Sequence, residues 1–276
     1  MTTSPTFRLA LLVLLAAGAR TGPVAAQAVG SDALFSDFQP SGDFVVEIDG
    51  RAQPKAEIYQ SDRAGSLLLI GPELSTPILI NLRAQTVESL DLMKVAKQPD
   101  GSVDLLADAT LSPLGRVRLE GEDLVVSAEA KTVRIKARPF LIGAKSLDEV
   151  LGYSPEYQRK ASRYAPDAAA MKRLKAQKEP VRVLTFFGSW CSHCKKHLPL
   201  LLKVGQGLGG GKFQFDFFGL PPRFTGEAEA TKFGVTGVPT AILFVGGKEI
   251  GRIPAAQWSN PEIALDLLLN GPQPGN

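Results

Sequence analysis

Between Asp43 and Gly143 the apolar residues come in short runs closed by turn residues. Phe44-Val45-Val46-Glu47-Ile48 ends at Asp49-Gly50, and Leu67 to Ile70 ends at Gly71-Pro72. Pro99-Asp100-Gly101 separates Met93–Lys97 from Val103–Ala107. Polar and apolar positions alternate through Arg116–Glu120 and again through Val133–Lys136, the period of a strand with one covered face. No stretch in this region carries a helical period. The pattern predicts an all-β unit, an antiparallel sandwich or barrel, over residues 29–145.

From Ser146 the period lengthens. Ser146-Leu147-Asp148-Glu149 has the form of a capping box, and Ser154-Pro155 sets a cap before a proline at the first helical position. Pro166-Asp167 opens a third helical piece, Ala168–Lys178, so residues 146–180 read as a helical linker. After Pro180 come a strand (Val181–Phe187), a helix through Leu198–Val204, a strand (Phe213–Phe218), a helix (Glu227–Phe233) and a strand (Ala241–Val245). The turn Gly246-Gly247 leads to a strand at Ile250–Ile253, and Pro261–Leu269 closes as a helix. That order is an α/β domain over residues 181–270.

The first residues fit neither unit. Arg8 precedes the apolar run Leu9–Ala19, which is too short to span a bilayer, and small residues around Ala26 and Ala28 supply a cleavage site. Residues 1–28 are expected to be a signal peptide, with the mature chain periplasmic or secreted and without a membrane span. Residues 29–145 carry 17 acidic and 13 basic side chains, and residues 146–276 carry 11 and 16, for nets of −4 and +5. Two halves of opposite sign can attract one another, and the bulk charge, +3 falling to +1 without Arg8 and Arg20, gives no reason to expect a nucleic-acid partner.

Composition changes the picture most at cysteine. All of the chain's 2 cysteines and 2 histidines fall in Phe186–Leu201, FFGSWCSHCKKHLPLL. An exported chain with no cysteine outside one C-x-x-C has none for a structural bridge, so both sulfurs are available for chemistry. Cys191 stands where a strand turns into a helix, and the unpaired N–H groups and dipole of a helix N-terminus stabilise a thiolate. Cys194, one turn on, would face inward and resolve a mixed disulfide formed at Cys191. The alternative is a zinc or copper module using Cys191, Cys194, His193 and His197, although a closed zinc site draws ligands from a second segment that this chain lacks. Haem attachment needs a histidine where Lys195 stands. A cysteine-hydrolase pairing needs a distant histidine, and the chain has none.

Three separated motifs are similar to the thioredoxin family: Trp190-Cys191-Ser192-His193-Cys194 after a strand, Pro199 eight residues beyond Cys191, and Gly234-Val235-Thr236-Gly237-Val238-Pro239. The resemblance implies a thioredoxin fold and thiol–disulfide exchange with protein substrates, with a separate redox partner that resets the dithiol and no cofactor. Cys191 would be the nucleophile, Cys194 the resolving thiol and His193 a tuner of thiolate stability. Trp190, Val238 and a cis Pro239 would border the client. The chain departs from the family at Thr185, where a buried acid is common, and at Pro254-Ala255, where a glycine is more usual. A histidine between the sulfurs resembles periplasmic thiol oxidases, yet the 44 residues between Cys194 and Pro239 leave no room for their helical insertion. The direction of electron flow is therefore left open by the sequence.

Overall fold

The computed structural model describes residues 36–271, and the expected signal peptide lies outside them. Eleven strands of the first region form two antiparallel sheets. One runs in the order Gln39–Ser41, Glu57–Ser61, Ser66–Ile70, Ile78–Asn81, Thr86–Ser89 and Ser112–Arg116. The other runs Arg118–Glu120, Asp123–Ala128, Lys131–Ala137, Phe44–Ile48 and Arg51–Ala52. Leu67, Leu69, Ile78 and Ile80 of the first meet Val46, Val126, Val133 and Ile135 of the second in one buried cluster. At about 1.5–3 kcal/mol for each large apolar side chain fully buried, this layer is the main stabilising contribution to the sandwich.

The alternate residues of the first sheet are covered too. Leu68 and Leu79 point away from the sandwich core, into a second cluster with Phe38, Tyr59, Val103 and Leu105. A two-stranded ribbon, Val95–Lys97 paired with Val103–Leu105, contributes to that cover. Burial on both faces explains why Leu67–Ile70 reads as an unbroken apolar run rather than an alternation. The strand expected over Met93–Lys97 begins differently: the Asp91 carboxylate accepts the Met93 N–H at 2.9 Å, and Leu92–Lys94 winds into a 3₁₀ turn before the strand starts at Val95.

The C-terminal sheet has the order Gly143–Lys145, Phe213–Gly219, Val181–Phe187, Thr240–Val245, Lys248–Arg252. Val181–Phe187 runs parallel to Phe213–Gly219 and antiparallel to Thr240–Val245. Gly143–Lys145, inside the stretch expected to be all-β, pairs with Phe217–Gly219 in this sheet. Val181, Val183 and Phe187 face one cluster with helices Ser192–Leu208 and Pro261–Asn270, whereas Leu184 and Phe186 face another with Ala230 and Val235.

The helices expected as a linker pack onto the first of these faces. Val150, Tyr157 and Leu174, from Leu147–Leu151, Pro155–Arg163 and Ala168–Lys175, are all buried in it. Ser146 and Glu149 form the capping box, and Ser154 caps the second helix with Pro155 in its first turn. Arg173 binds Asp266 at 2.6 Å, and buried Glu262 accepts the Tyr164 hydroxyl at 2.6 Å. Asp266 is thus charge-paired and Glu262 hydrogen-bonded, as burial requires. The two regions meet where Arg138, held to the carbonyls of Gly42 and Phe44 at 2.7 and 3.0 Å, lies 5.5 Å from the Tyr153 ring centroid, and at the Lys195–Asp43 ion pair of 2.5 Å.

Candidate active site

Strand Val181–Phe187 ends at Gly188, and the chain turns there into helix Ser192–Leu208. A side chain at Gly188 would collide with the Trp190 ring, since an added Cβ would sit 2.5 Å from it. The absence of a side chain lets the indole fold back over the strand end, where its Nε1–H donates to the Leu220 carbonyl at 2.8 Å. The Cys191 N–H donates to Gly188 O at 3.0 Å, closing the turn and placing Cys191 at the N-cap.

The two sulfurs occupy different surroundings. Cys191 is half-buried and Cys194 is fully buried, and both are free thiols. Hydrogen bonding from the Cys194 thiol lowers the Cys191 pKa most, and the N–H groups of Cys194 and His193 and the charge of His193 act in the same direction. Burial opposes them, and the result is a pKa of about 5. The same thiol-to-thiolate bond, together with burial, pushes Cys194 far up, while the Gly188 N–H at 3.4 Å pulls the other way. One sulfur is held ionised and its neighbour protonated.

The Val238–Pro239 peptide is cis and lies against this pair, with the Val238 carbonyl 3.6 Å from Cys191 Sγ. Val238, Pro239 and Trp190 are each half-buried around the half-exposed sulfur. His193 is exposed and stacks on His197 with ring centroids 6.2 Å apart. Burial lowers the His197 pKa, and the nearby charges of Lys196 and His193 add to that. Among the described residues no three His, Cys, Asp or Glu side chains converge as a metal-ligand set.

Pro199 shapes the far side of the site. A proline lacks the N–H that would bond to the carbonyl four residues earlier, here Lys195 O. Lys160 Nζ, from helix Pro155–Arg163, takes that carbonyl at 3.2 Å. The contact seats a helix from outside the three sequence motifs directly behind Cys194, and it brings in Tyr157, which those motifs do not point to. Tyr157 is 1% exposed in the same cluster as Cys194, yet its hydroxyl has no hydrogen-bond partner. The Thr185 hydroxyl is buried and unpartnered as well. Each such group costs about 1–3 kcal/mol relative to a satisfied one.

The thioredoxin family model matches residues 166–261, a span that contains Thr185, both cysteines, His193 and Pro239. Over 74 residues the chain is 32% identical to thioredoxin-1 of Saccharomyces cerevisiae, covering 27% of this chain and 67% of that protein. The chain belongs to the thioredoxin family. Thioredoxin of Chlamydia caviae is likewise 32% identical over 74 residues, 26% of this chain and 65% of that protein, so the chain spans just under two thirds of this relative's length. Among solved structures, thioredoxin f2 of Chlamydomonas reinhardtii is 20% identical, covers 37% of this chain and 90% of its own, and gives a TM-score of 0.28. The thioredoxin domain is thus preceded by an antiparallel β region that lies outside the matched residues.

Proposed function

We propose that the chain is an exported thiol–disulfide oxidoreductase that exchanges disulfides with protein clients through the Cys191–Cys194 dithiol. The observation that carries the proposal is the pairing of a half-exposed sulfur with a pKa of about 5 and a buried, protonated sulfur one helical turn away. At neutral pH Cys191 is the attacking thiolate. Its electron pair forms a bond to one client sulfur, the client S–S bond breaks, and the other client sulfur leaves as a thiolate. Cys194 then displaces the captured client and closes the Cys191–Cys194 disulfide. The two enzyme thiols are oxidised and the client disulfide is reduced; the oxidase direction is the reverse.

The residues around the sulfurs support distinct roles. Trp190, Val238 and Pro239 border the exposed side of Cys191 and suit an extended client segment, with the Val238 backbone available to pair with it. His193 adds to thiolate stability by its charge, after the Cys194 thiol and the helix N–H groups. The leader-like pattern of residues 1–28 supports a periplasmic or secreted site of action, where an oxidising milieu would supply disulfide clients. A separate redox partner would reset the dithiol, and the β region would position that partner or the client.

Insulin-disulfide turnover by the full chain tests the reading. Cys191→Ser is expected to abolish turnover, and Cys194→Ser to accumulate mixed disulfides. Equal activity of the native chain and both variants would overturn it. The equilibrium potential of the dithiol against glutathione then sorts reductant from oxidant.

A further inference from the structure

We propose that Tyr157 donates a hydrogen bond to the sulfur of Cys194 as that thiol ionises to resolve a mixed disulfide, an inference that rests on the dithiol chemistry proposed above. In the free enzyme the Cys194 proton is held against the Cys191 thiolate. Once Cys191 is bonded to a client sulfur, that acceptor is gone, and Cys194 must become an anion inside an apolar cluster with Leu198, Phe187 and Val183. The Gly188 N–H is one donor already in place. Thr185 brings no carboxylate to assist.

Tyr157 has the features of a second donor. Its ring is held edge-on to Tyr153 at a centroid distance of 5.8 Å, and its helix is tied to the carbonyl of Lys195, the residue after Cys194. Its hydroxyl is buried with no partner, so it can turn toward an anion without breaking another bond. Burial raises the phenol pKa, and among neighbouring charges that of Cys194 acts on it first, so the phenol keeps its proton while donating. The other titratable groups near the pair are Tyr153, Glu156, Lys160, Asp43, Lys195 and Cys191. Lys160 is paired with Glu156 at 2.6 Å and Lys195 with Asp43, so neither lysine is a free counter-ion for Cys194. Tyr157 also lies outside the 166–261 family match.

The step balances without a further reagent. Cys194 loses its proton, its electron pair forms the bond to Cys191 Sγ, the Cys191–client bond breaks, and the client thiolate that leaves takes up a proton. Tyr157 ends the step as it began.

The test uses the full chain and oxidised glutathione to load Cys191, following release of glutathione against pH. Tyr157→Phe keeps the ring and removes only the hydroxyl. It is expected to slow release about tenfold at neutral pH, the loss of one hydrogen bond to a charged acceptor, and to move the midpoint of the pH profile up by about one unit. Alkylation of Cys191 and the melting temperature should not fall. A fluorinated tyrosine at position 157, a stronger donor on the same ring, should move the midpoint down and serves if the phenylalanine variant folds poorly. Unchanged release and midpoint in both variants would overturn the inference alone. A native chain that forms no mixed disulfide with glutathione would overturn the dithiol reading and this inference with it.

Discussion

The β region and the C-terminal region differ in where buried polar atoms are left without a partner. Ser61, Ser66 and Ser102, the buried polar residues of the β region, are all hydrogen-bonded; Ser102, for example, donates through both its N–H and its hydroxyl to Asp100. The unpartnered buried side-chain atoms among the described residues are on Tyr157, Thr185 and His197, all in the C-terminal half. A satisfied donor fixes the groups around it, whereas an unpartnered buried donor stays available to an anion formed beside it.

The largest effect that could break this contrast is on thiol acidity. Cys191 alkylation should be at its plateau at pH 7 and fall only as pH drops through about 5. A cysteine introduced at exposed Leu119 of the β region (Leu119→Cys) should instead titrate near about 8.5, with roughly thirtyfold less thiolate at pH 7. The sign carries into stability. A thiol whose folded pKa lies below its unfolded value of 9.0 adds full stability above that value and loses it as pH falls through about 5. Two similar midpoints would show that the helix mouth confers nothing special on Cys191.

Next in size is a cut in the sandwich core. Ile80→Ala removes a fully buried side chain from between the two sheets and should cost about 2–5 kcal/mol in denaturant unfolding. The Cys191 alkylation midpoint should stay where it was. A shifted midpoint would mean that the β region shapes the thiol site directly, contrary to the division drawn here.

How legible this division was depends on which signals are local. The dithiol, its helix mouth and the Val238-Pro239 segment each sit in a few consecutive residues, so chemistry and fold could both be read from them. The capping box at Ser146 and the N-cap at Ser154 were legible for the same reason. The sandwich was legible only as a class. Its strands at Glu57–Ser61, Ile78–Asn81 and Asp123–Ala128 pair with their neighbours in sequence, and which strands join into which sheet is set by contacts that no short run of residues announces. The hairpin after Ala128 turns on Glu129 and Ala130 at φ 52° and 60°, with no glycine or asparagine to announce it. It is braced by the Glu129 carboxylate accepting the Ser75 N–H at 2.9 Å from the other sheet. Tyr157 was invisible as a site residue because its approach to Cys194 depends on Lys160 reaching a carbonyl freed by Pro199, a contact spanning 35 residues.

A smaller effect, of opposite sign, sharpens the contrast. Thr185→Val replaces an unpartnered hydroxyl by a methyl of similar shape. Stability should hold or rise by up to about 1–2 kcal/mol, because a desolvated polar group is removed with no bond lost. The equivalent change at Ser102, which removes a satisfied hydroxyl, should lower it. A destabilised Thr185→Val would place that hydroxyl among the paired groups and blur the distinction between the regions.

The smallest effect lies where the regions join. The Lys195–Asp43 pair looks like a latch across the junction, with the lysine next to the resolving cysteine, but the aspartate is about half exposed and the pair is open to solvent screening. Arg138, itself part of the β region, is half-buried and anchored there by two hydrogen bonds to the carbonyls of Gly42 and Phe44, and it reaches across the junction with its guanidinium 5.5 Å from the Tyr153 ring centroid. Removing it would strand two carbonyls, whereas removing Asp43 returns a lysine to water. Asp43→Asn should therefore cost less than about 1 kcal/mol, and the cost should fade in high salt. If differential scanning calorimetry showed a loss of several kcal/mol that persists in salt, the junction would be held by charge, and the β region would have a direct electrostatic hold on the helix that carries Cys194.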